Sequence, residues 1–152
     1  MQTTDFGPVW KTTLRMIGRR PLNRALLRQK LMARFKHNPQ AVEAAVCKAQ
    51  ELHLIDEERF ADMWIAHWVE RGASRLFVLR KSESQGIPRA TAEAVLNRLN
   101  YDEAACARLA ARQKMPSLQS LSAQEARQKL MAFLQRRGFP YRIAKAAILD
   151  LL

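Results

Sequence analysis

Two tripeptides, Gly86-Ile-Pro and Gly138-Phe-Pro, each open a stretch of the same pattern. "GIPRATAEAVLNRL" (86–99) and "GFPYRIAKAAILDL" (138–151) share Gly, Pro, Ala and the last Leu. Ile87 meets Phe139, Val95 meets Ala147, and Leu96 meets Ile148. "DEERFADMWIA" (56–66) sits beside "DEAACARLAAR" (102–112), with Asp-Glu shared and the apolar positions kept. "PQAVEAAV" (39–46) sits beside "PRATAEAV" (88–95). Self-similarity with a period of roughly 45–52 residues restricts the fold to an array of small units. Units this short bury little alone, so stacked neighbours share their cores. The expected units are 1–55 with an N-terminal helix, 56–101 and 102–152, as one continuous array.

The units are helical. The chain is rich in Ala, Leu, Arg, Gln and Glu, has five glycines, and shows no alternating β-branched run. Nine helices are expected, each begun by local chemistry. The first covers about 8–18, with Val9, Thr13, Met16 and Ile17 on one face. The second starts after Asn23, with Leu27 and Leu31 inward; the third runs from about Gln40 to Leu52. The others start after Asp56, Ser74, Pro88, Asp102 and Ser122, and near Pro140. Ser122-Ala-Gln-Glu125 fits a capping box.

"LIDEERFADMWIAHWVERG" (54–72) is the most distinctive stretch. Asp56 is placed to cap its helix, and Glu57 and Glu58 lie where carboxylates meet the positive end of the helix dipole. Phe60, Trp64 and Trp68 recur every four residues as a core-facing or neighbour-facing stripe. His67-x-x-Glu70 has no second cluster of metal ligands beside it; His37 and His53 fall in other turns. Gly72 is the natural left-handed stop. Cys47 and Cys106 lie in alanine-rich helical contexts and are read as buried thiols of a cytoplasmic protein. The start, "MQTTDFGPVW", lacks the basic and apolar regions of a signal peptide, and no apolar run approaches membrane-spanning length.

Lys and Arg number 26 against 14 Asp and Glu, a formal charge of +12. Residues 1–55 carry ten cations against three acids, 56–101 seven of each, and 102–152 nine against four. Charge of this size points to a polyanionic or acidic partner. The candidate contacts in the first unit are Arg15, Arg19, Arg20, Arg24, Arg28 and Arg34, with Lys30 beside them. Arg71 and Arg75 flank the end of the fourth helix, and Lys129, Arg136, Arg137 and Arg142 form a third set. Arginine suits both phosphate and carboxylate because its planar fork binds two oxygens at once. Trp10 and Tyr141 are the only aromatic residues expected to be exposed for base stacking, which argues against a dedicated single-strand binder.

Order and spacing together resemble the RecX family of recombination regulators. The residues that carry the resemblance are Leu54, Ile55, Asp56, Glu57, Glu58, Arg59, Phe60 and Ala61. Arg71 and Gly72 follow, then "QGI", and finally Phe133, Leu134, Arg137, Gly138 and Phe139. "RMIGRRPLNRALLRQKL" (15–31) fits the family's first repeat more loosely. The resemblance covers about residues 13–152. It implies an all-α fold of three tandem three-helix repeats in an elongated, curved array. It also implies binding in the groove of the RecA–DNA filament, across neighbouring RecA subunits, with damping of strand exchange and ATP hydrolysis. No cofactor, metal or catalytic residue is implied, and the chain is expected to act as a monomer, with direct contact to single- or double-stranded DNA open. The fifth helix departs most from the family pattern. Ser82 stands where a core leucine is expected and Phe77 where a basic residue is expected; Phe35 replaces a glycine and Leu26 a capping glutamate.

Two other classes compete. A stand-alone basic helical DNA-binding protein would use a helix-turn-helix such as 24–52, but the third helix is mostly Ala and Val rather than base-reading side chains. An enzyme would need a Gly-rich phosphate loop, a nucleophile elbow, a metal cluster or a carboxylate pair, and the sequence has none of these.

Overall fold

The computed structural model describes residues 5–152. Among them are nine α-helices, one short 3-10 helix and no strand. The reading of the first ten residues as no leader falls partly on residues 1–4, outside those described. The helices are α1 (Phe6–Arg19), α2 (Arg24–Arg34), α3 (Pro39–Glu51), α4 (Glu57–Glu70), α5 (Arg75–Ser84), α6 (Arg89–Arg98), α7 (Glu103–Lys114), α8 (Ala123–Arg136) and α9 (Tyr141–Leu149). The 3-10 turn, Met115–Leu118, follows α7 directly and was not expected. None of these helices is long and apolar enough to cross a membrane.

The expected caps form. Asn23 Oδ1 accepts from Leu26 N at 2.8 Å, Asp56 Oδ1 from Arg59 N at 3.0 Å, and Asp102 Oδ1 from Ala105 N at 3.1 Å. Ser122 and Glu125 exchange both bonds of a capping box. Gly72 ends α4 at φ 76°, with Gly72 N on Val69 O and Ala73 N on Trp68 O, the two bonds of a Schellman stop.

The chain divides into two compact units. The first runs through Asp62 and takes in Gln85–Ile87; the second holds Met63–Ser84 and Pro88–Leu152. In the first, α1, α2 and α3 pack on one another around Leu27, Leu31, Val42 and Val46. In the second, α7, α8 and α9 pack around Leu130, Leu134, Phe139 and Ile148, and α5 packs on α6. Small residues, Ala107, Ala110, Ala111, Ala144 and Ala147, let these short helices approach closely. Each fully buried leucine contributes about 1.5–3 kcal/mol.

The Gly-x-Pro signal has a physical cause, and it is built twice. In the first unit Asn23, besides capping α2, donates from Nδ2 to the carbonyl of Gln85, the residue before Gly86. In the second unit Ser74 Oγ accepts from Phe77 N at 3.1 Å and donates to the carbonyl of Arg137, the residue before Gly138, at 2.7 Å. A glutamate completes each junction. Glu57 Oε1 accepts from Arg24 N at 2.8 Å, and Glu103 Oε1 from Arg75 N at 3.2 Å. One side chain thus starts its own helix and grips a turn more than sixty residues away.

Two expectations, on Cys47 and Trp10, need correction, and the stripe on α4 gains detail. Cys106 is buried, but Cys47 is exposed. The inward positions of α3 are Ala41, Val42, Ala45, Val46 and Ala49, and Cys47 falls on the opposite side of that helix. On α4, Phe60, Ala61 and Ile65 are buried, whereas Trp64 and Trp68 are half-buried; the indoles are longer than their cover and lap one another at 6.0 Å. Trp64→Ala therefore costs less than the roughly 3–5 kcal/mol of a fully buried aromatic. Trp10 is half-buried as well, stacked on Phe6 at 5.9 Å with Lys48 Nζ 4.4 Å from its ring, so Tyr141 alone of the two expected aromatics stands exposed.

Ser82 is fully buried in the place of the expected leucine, and its Oγ has no hydrogen-bond partner among the described residues. An unpaired buried hydroxyl costs about 1–3 kcal/mol. Ser82→Ala is expected to raise the unfolding free energy by about 1 kcal/mol, seen as a higher urea midpoint at unchanged slope.

Tyr101 donates to the Ala73 carbonyl at 2.8 Å, and burial, reinforced by Cys106 and Glu103, pushes its hydroxyl far above the usual phenol range. Burial pushes the neighbouring Cys106 thiol up as well. Both groups are neutral, folded or unfolded, below the ordinary thiol pKa of about 8.5, so their contribution is intact there. Above it the unfolded chain ionises first, so stability is lost as pH rises. Tyr101→Phe is expected to cost about 1 kcal/mol at pH 7 and to flatten the decline above pH ~10, measured as urea midpoints across the alkaline range.

Candidate functional site

The two expected basic regions differ in how their charges are spent. In the first unit Arg15, Arg19, Arg20, Arg24, Arg28 and Arg34 are all exposed. Arg28 is ion-paired with Glu43 on α3, which removes one charge from the face. The exposed side of α3 offers little for reading bases: Gln40, Lys48 and Gln50 are its long polar donors there, and Lys48 is drawn onto the Phe6 and Trp10 rings.

In the second unit, packing gathers cations from α5, α7 and α8 and from the turns that follow α4 and α8. A cavity of about 280 Å³ lies among Trp68, Arg71, Ser74, Phe77, Gln113 and Arg137. It shares Phe77 and Arg137 with a second, of about 360 Å³, which adds Arg80, Lys81 and Arg136. That one shares Arg136 with a third, of about 400 Å³, lined also by Lys114 and Lys129. The shared residues set the three side by side, as a groove of adjoining hollows past the end of α4 and along α5, α7 and α8. Among the described residues no acid lines these three; a fourth cavity, which meets the second at Leu76 and Gly138, brings in Glu103, whose carboxylate accepts from Arg75 N.

Seven cations border this groove, and among the described residues none of them has a carboxylate partner. Two are held by an aromatic ring instead. Lys114 Nζ and the Arg137 guanidinium lie 5.4 Å and 5.2 Å from the Phe133 ring. Arg71 is positioned by its own helix, with Nη1 3.0 Å from His67 Nδ1 and 3.1 Å from the His67 carbonyl. Like charges held together without counter-charges attract anions, and the groove walls lower the local dielectric and strengthen that attraction.

Of the residues singled out from sequence, Arg71, Lys129, Arg136 and Arg137 come together here. Arg75 does not: it is paired with Glu93 at 3.7 Å, which also holds Arg89 at 3.2 Å. Arg142 is exposed on α9 and does not line the groove. Sequence reasoning missed Arg80, Lys81, Lys114, Gln113, Trp68 and Phe77 as lining residues. The i,i+4 pair Phe77–Lys81, whose ammonium lies 5.9 Å from the ring, was a usable signal. Among the described residues no three His, Cys, Asp or Glu side chains gather as metal ligands.

Residues 101–148 match the family model described as RecX, third three-helix domain. The chain is 32% identical over 134 residues to the regulatory protein RecX of Halorhodospira halophila, covering 88% of this chain and 82% of that one. It is 30% identical over 140 residues to RecX of Chlorobium phaeobacteroides, covering 91% and 90%. With RecX of Thermus thermophilus the identity is 28% over 135 residues, covering 88% and 85%. The fold is similar to the crystal structure of RecX from Lactobacillus salivarius, with a TM-score of 0.73 at 17% identity over 97% of this chain and 96% of that one.

Proposed function

Since the chain belongs to the RecX family of regulatory proteins, we propose that it binds the RecA–DNA filament, across neighbouring RecA subunits in its groove, and lowers ATP hydrolysis and strand exchange. The observation that carries this reading is the groove on the second unit with seven cations that have no carboxylate partner among the described residues. A filament presents both of the anions such a groove can hold: DNA phosphate and acidic side chains of RecA. The exposed arginines of the first unit, Arg15, Arg19, Arg20, Arg24 and Arg34, supply a second set of contacts. The protein works as a monomer, without cofactor or catalytic residue.

The same reading divides the chain into repeats at 1–55, 56–101 and 102–152. The family match over 101–148 supports the last of these. The paired junctions at Gly86 and Gly138 support a common plan for joining successive repeats.

Cosedimentation with preassembled RecA–single-stranded DNA filaments tests the reading. The protein is expected to pellet with filaments at concentrations where it leaves bare DNA unbound, and to be released as salt rises. Phosphate contacts contribute a log–log salt slope of about −0.7 each on single strands, so a shallow slope points to protein contacts. Retention on bare DNA as strong as on filaments would instead support a stand-alone DNA-binding protein.

A further inference from the structure

Resting on that reading of the groove, we propose that the corner formed by Trp68 and Phe77 at its end is a stacking subsite for one base of a single-stranded nucleic acid, with the adjoining cations holding the strand's phosphates. The two rings meet edge to face, with centroids 5.0 Å apart and planes 65° apart, and both border the same cavity. A base stacked on either ring turns its edge toward the other. Stacking of this kind accepts any base, because every base has a π-face. Gln113 and Arg71 lie in the same lining and carry the donors and acceptor that a base edge can meet.

Charge continues from the rings in one direction. Arg137 belongs to this cavity and the next, Arg136 to the next and the one after, where Lys114 and Lys129 follow. A strand with its base in the corner of Trp68 and Phe77 therefore leads its backbone along cations that have no carboxylate partner among the described residues. An acidic peptide would satisfy the cations but leave the ring surface that lines the cavity without a stacking partner. Trp68 is only half-buried, and both it and Phe77 reach the cavity lining.

The chain has three tryptophans. In a Trp10→Phe, Trp64→Phe background Trp68 alone emits, and its fluorescence is followed at low salt as tetrathymidylate, an abasic tetranucleotide backbone or tetraglutamate is added. Tetrathymidylate is expected to quench Trp68 and to bind about tenfold tighter than the abasic backbone. Phe77→Leu, which keeps an apolar side chain, is expected to shrink that ratio to about twofold while abasic affinity stays the same. Equal affinity for tetrathymidylate and the abasic backbone would overturn the proposal and leave a phosphate groove only. Tetraglutamate binding as tightly as tetrathymidylate would overturn it in favour of an acidic peptide. Should the double substitution unfold the chain, calorimetric titration of the unaltered protein reads the same ratios. RecA is absent throughout, so failure here leaves filament binding to be judged by cosedimentation alone.

Discussion

Gly86→Ala is expected to lower the unfolding free energy by about 2–5 kcal/mol, the sum of left-handed backbone strain and overpacking. Gly86 has φ 77°, and a Cβ built there stands 2.6 Å from the Ala25 Cβ and 3.4 Å from Asn23 Nδ2. Ala25 is on the first turn of α2 and has no rotamer with which to move aside. Relief must come from backbone displacement, which breaks the bond from Asn23 to Gln85 and loosens the α2 cap with it. Gly138→Ala tests the second junction. There φ is 94° and the added Cβ meets Ser74 Oγ at 2.7 Å. That hydroxyl can rotate, but only by giving up its bonds to Phe77 N and the Arg137 carbonyl. Urea unfolding of each variant measures the cost. A loss below about 0.5 kcal/mol at both glycines would mean that the junctions tolerate a side chain and do not set the Gly-x-Pro punctuation.

The second large effect is on binding. Reversing Arg71, Lys129 and Arg136 to Glu is expected to weaken filament binding by roughly 3–6 kcal/mol in total, on the order of 10²–10⁴-fold, because each substitution removes a charged contact and adds a like charge facing the partner's anions. All three side chains are exposed and none is ion-paired among the described residues, so stability should fall by only about 1–2 kcal/mol, from the lost Arg71–His67 bonds and from carboxylates at the C-terminal ends of α4 and α8. Reversing Arg28 and Arg75 offers a contrast. These are already paired with Glu43 and Glu93, and their loss should show more in stability than in binding. Equal filament affinity for the triple variant would take the groove out of the interface.

Helix starts were legible because capping is local chemistry: Asn23, Asp56, Ser74, Asp102 and Ser122 satisfy backbone donors within three residues of themselves. The internal similarity was legible because the junction that requires it recurs at Gly86 and Gly138. The long-range half of each junction was not, since nothing near Ser74 announces a bond to Arg137. Burial of large side chains was also hidden. Trp64 and Trp68 point the way the period-four stripe says, but how much cover waits for them depends on neighbours far along the chain. The groove was half visible. Arg136 and Arg137 stand out in any count of charge, whereas Lys114 and Arg80 matter only once packing brings α5 and α7 beside α8. Ser82 was flagged by the family pattern, and the structure gives the physical content of that departure in a buried hydroxyl with no partner.

The central claim is that this chain acts on an assembled recombinase filament, and ATP hydrolysis by a RecA–single-stranded DNA filament tests it most directly. With this protein titrated in at fixed salt, hydrolysis is expected to fall at protein concentrations well below that of RecA, as the proposed binding of one molecule across neighbouring subunits requires. Hydrolysis that holds steady until the protein is abundant enough to coat the DNA itself would contradict the claim and point to simple competition for the strand.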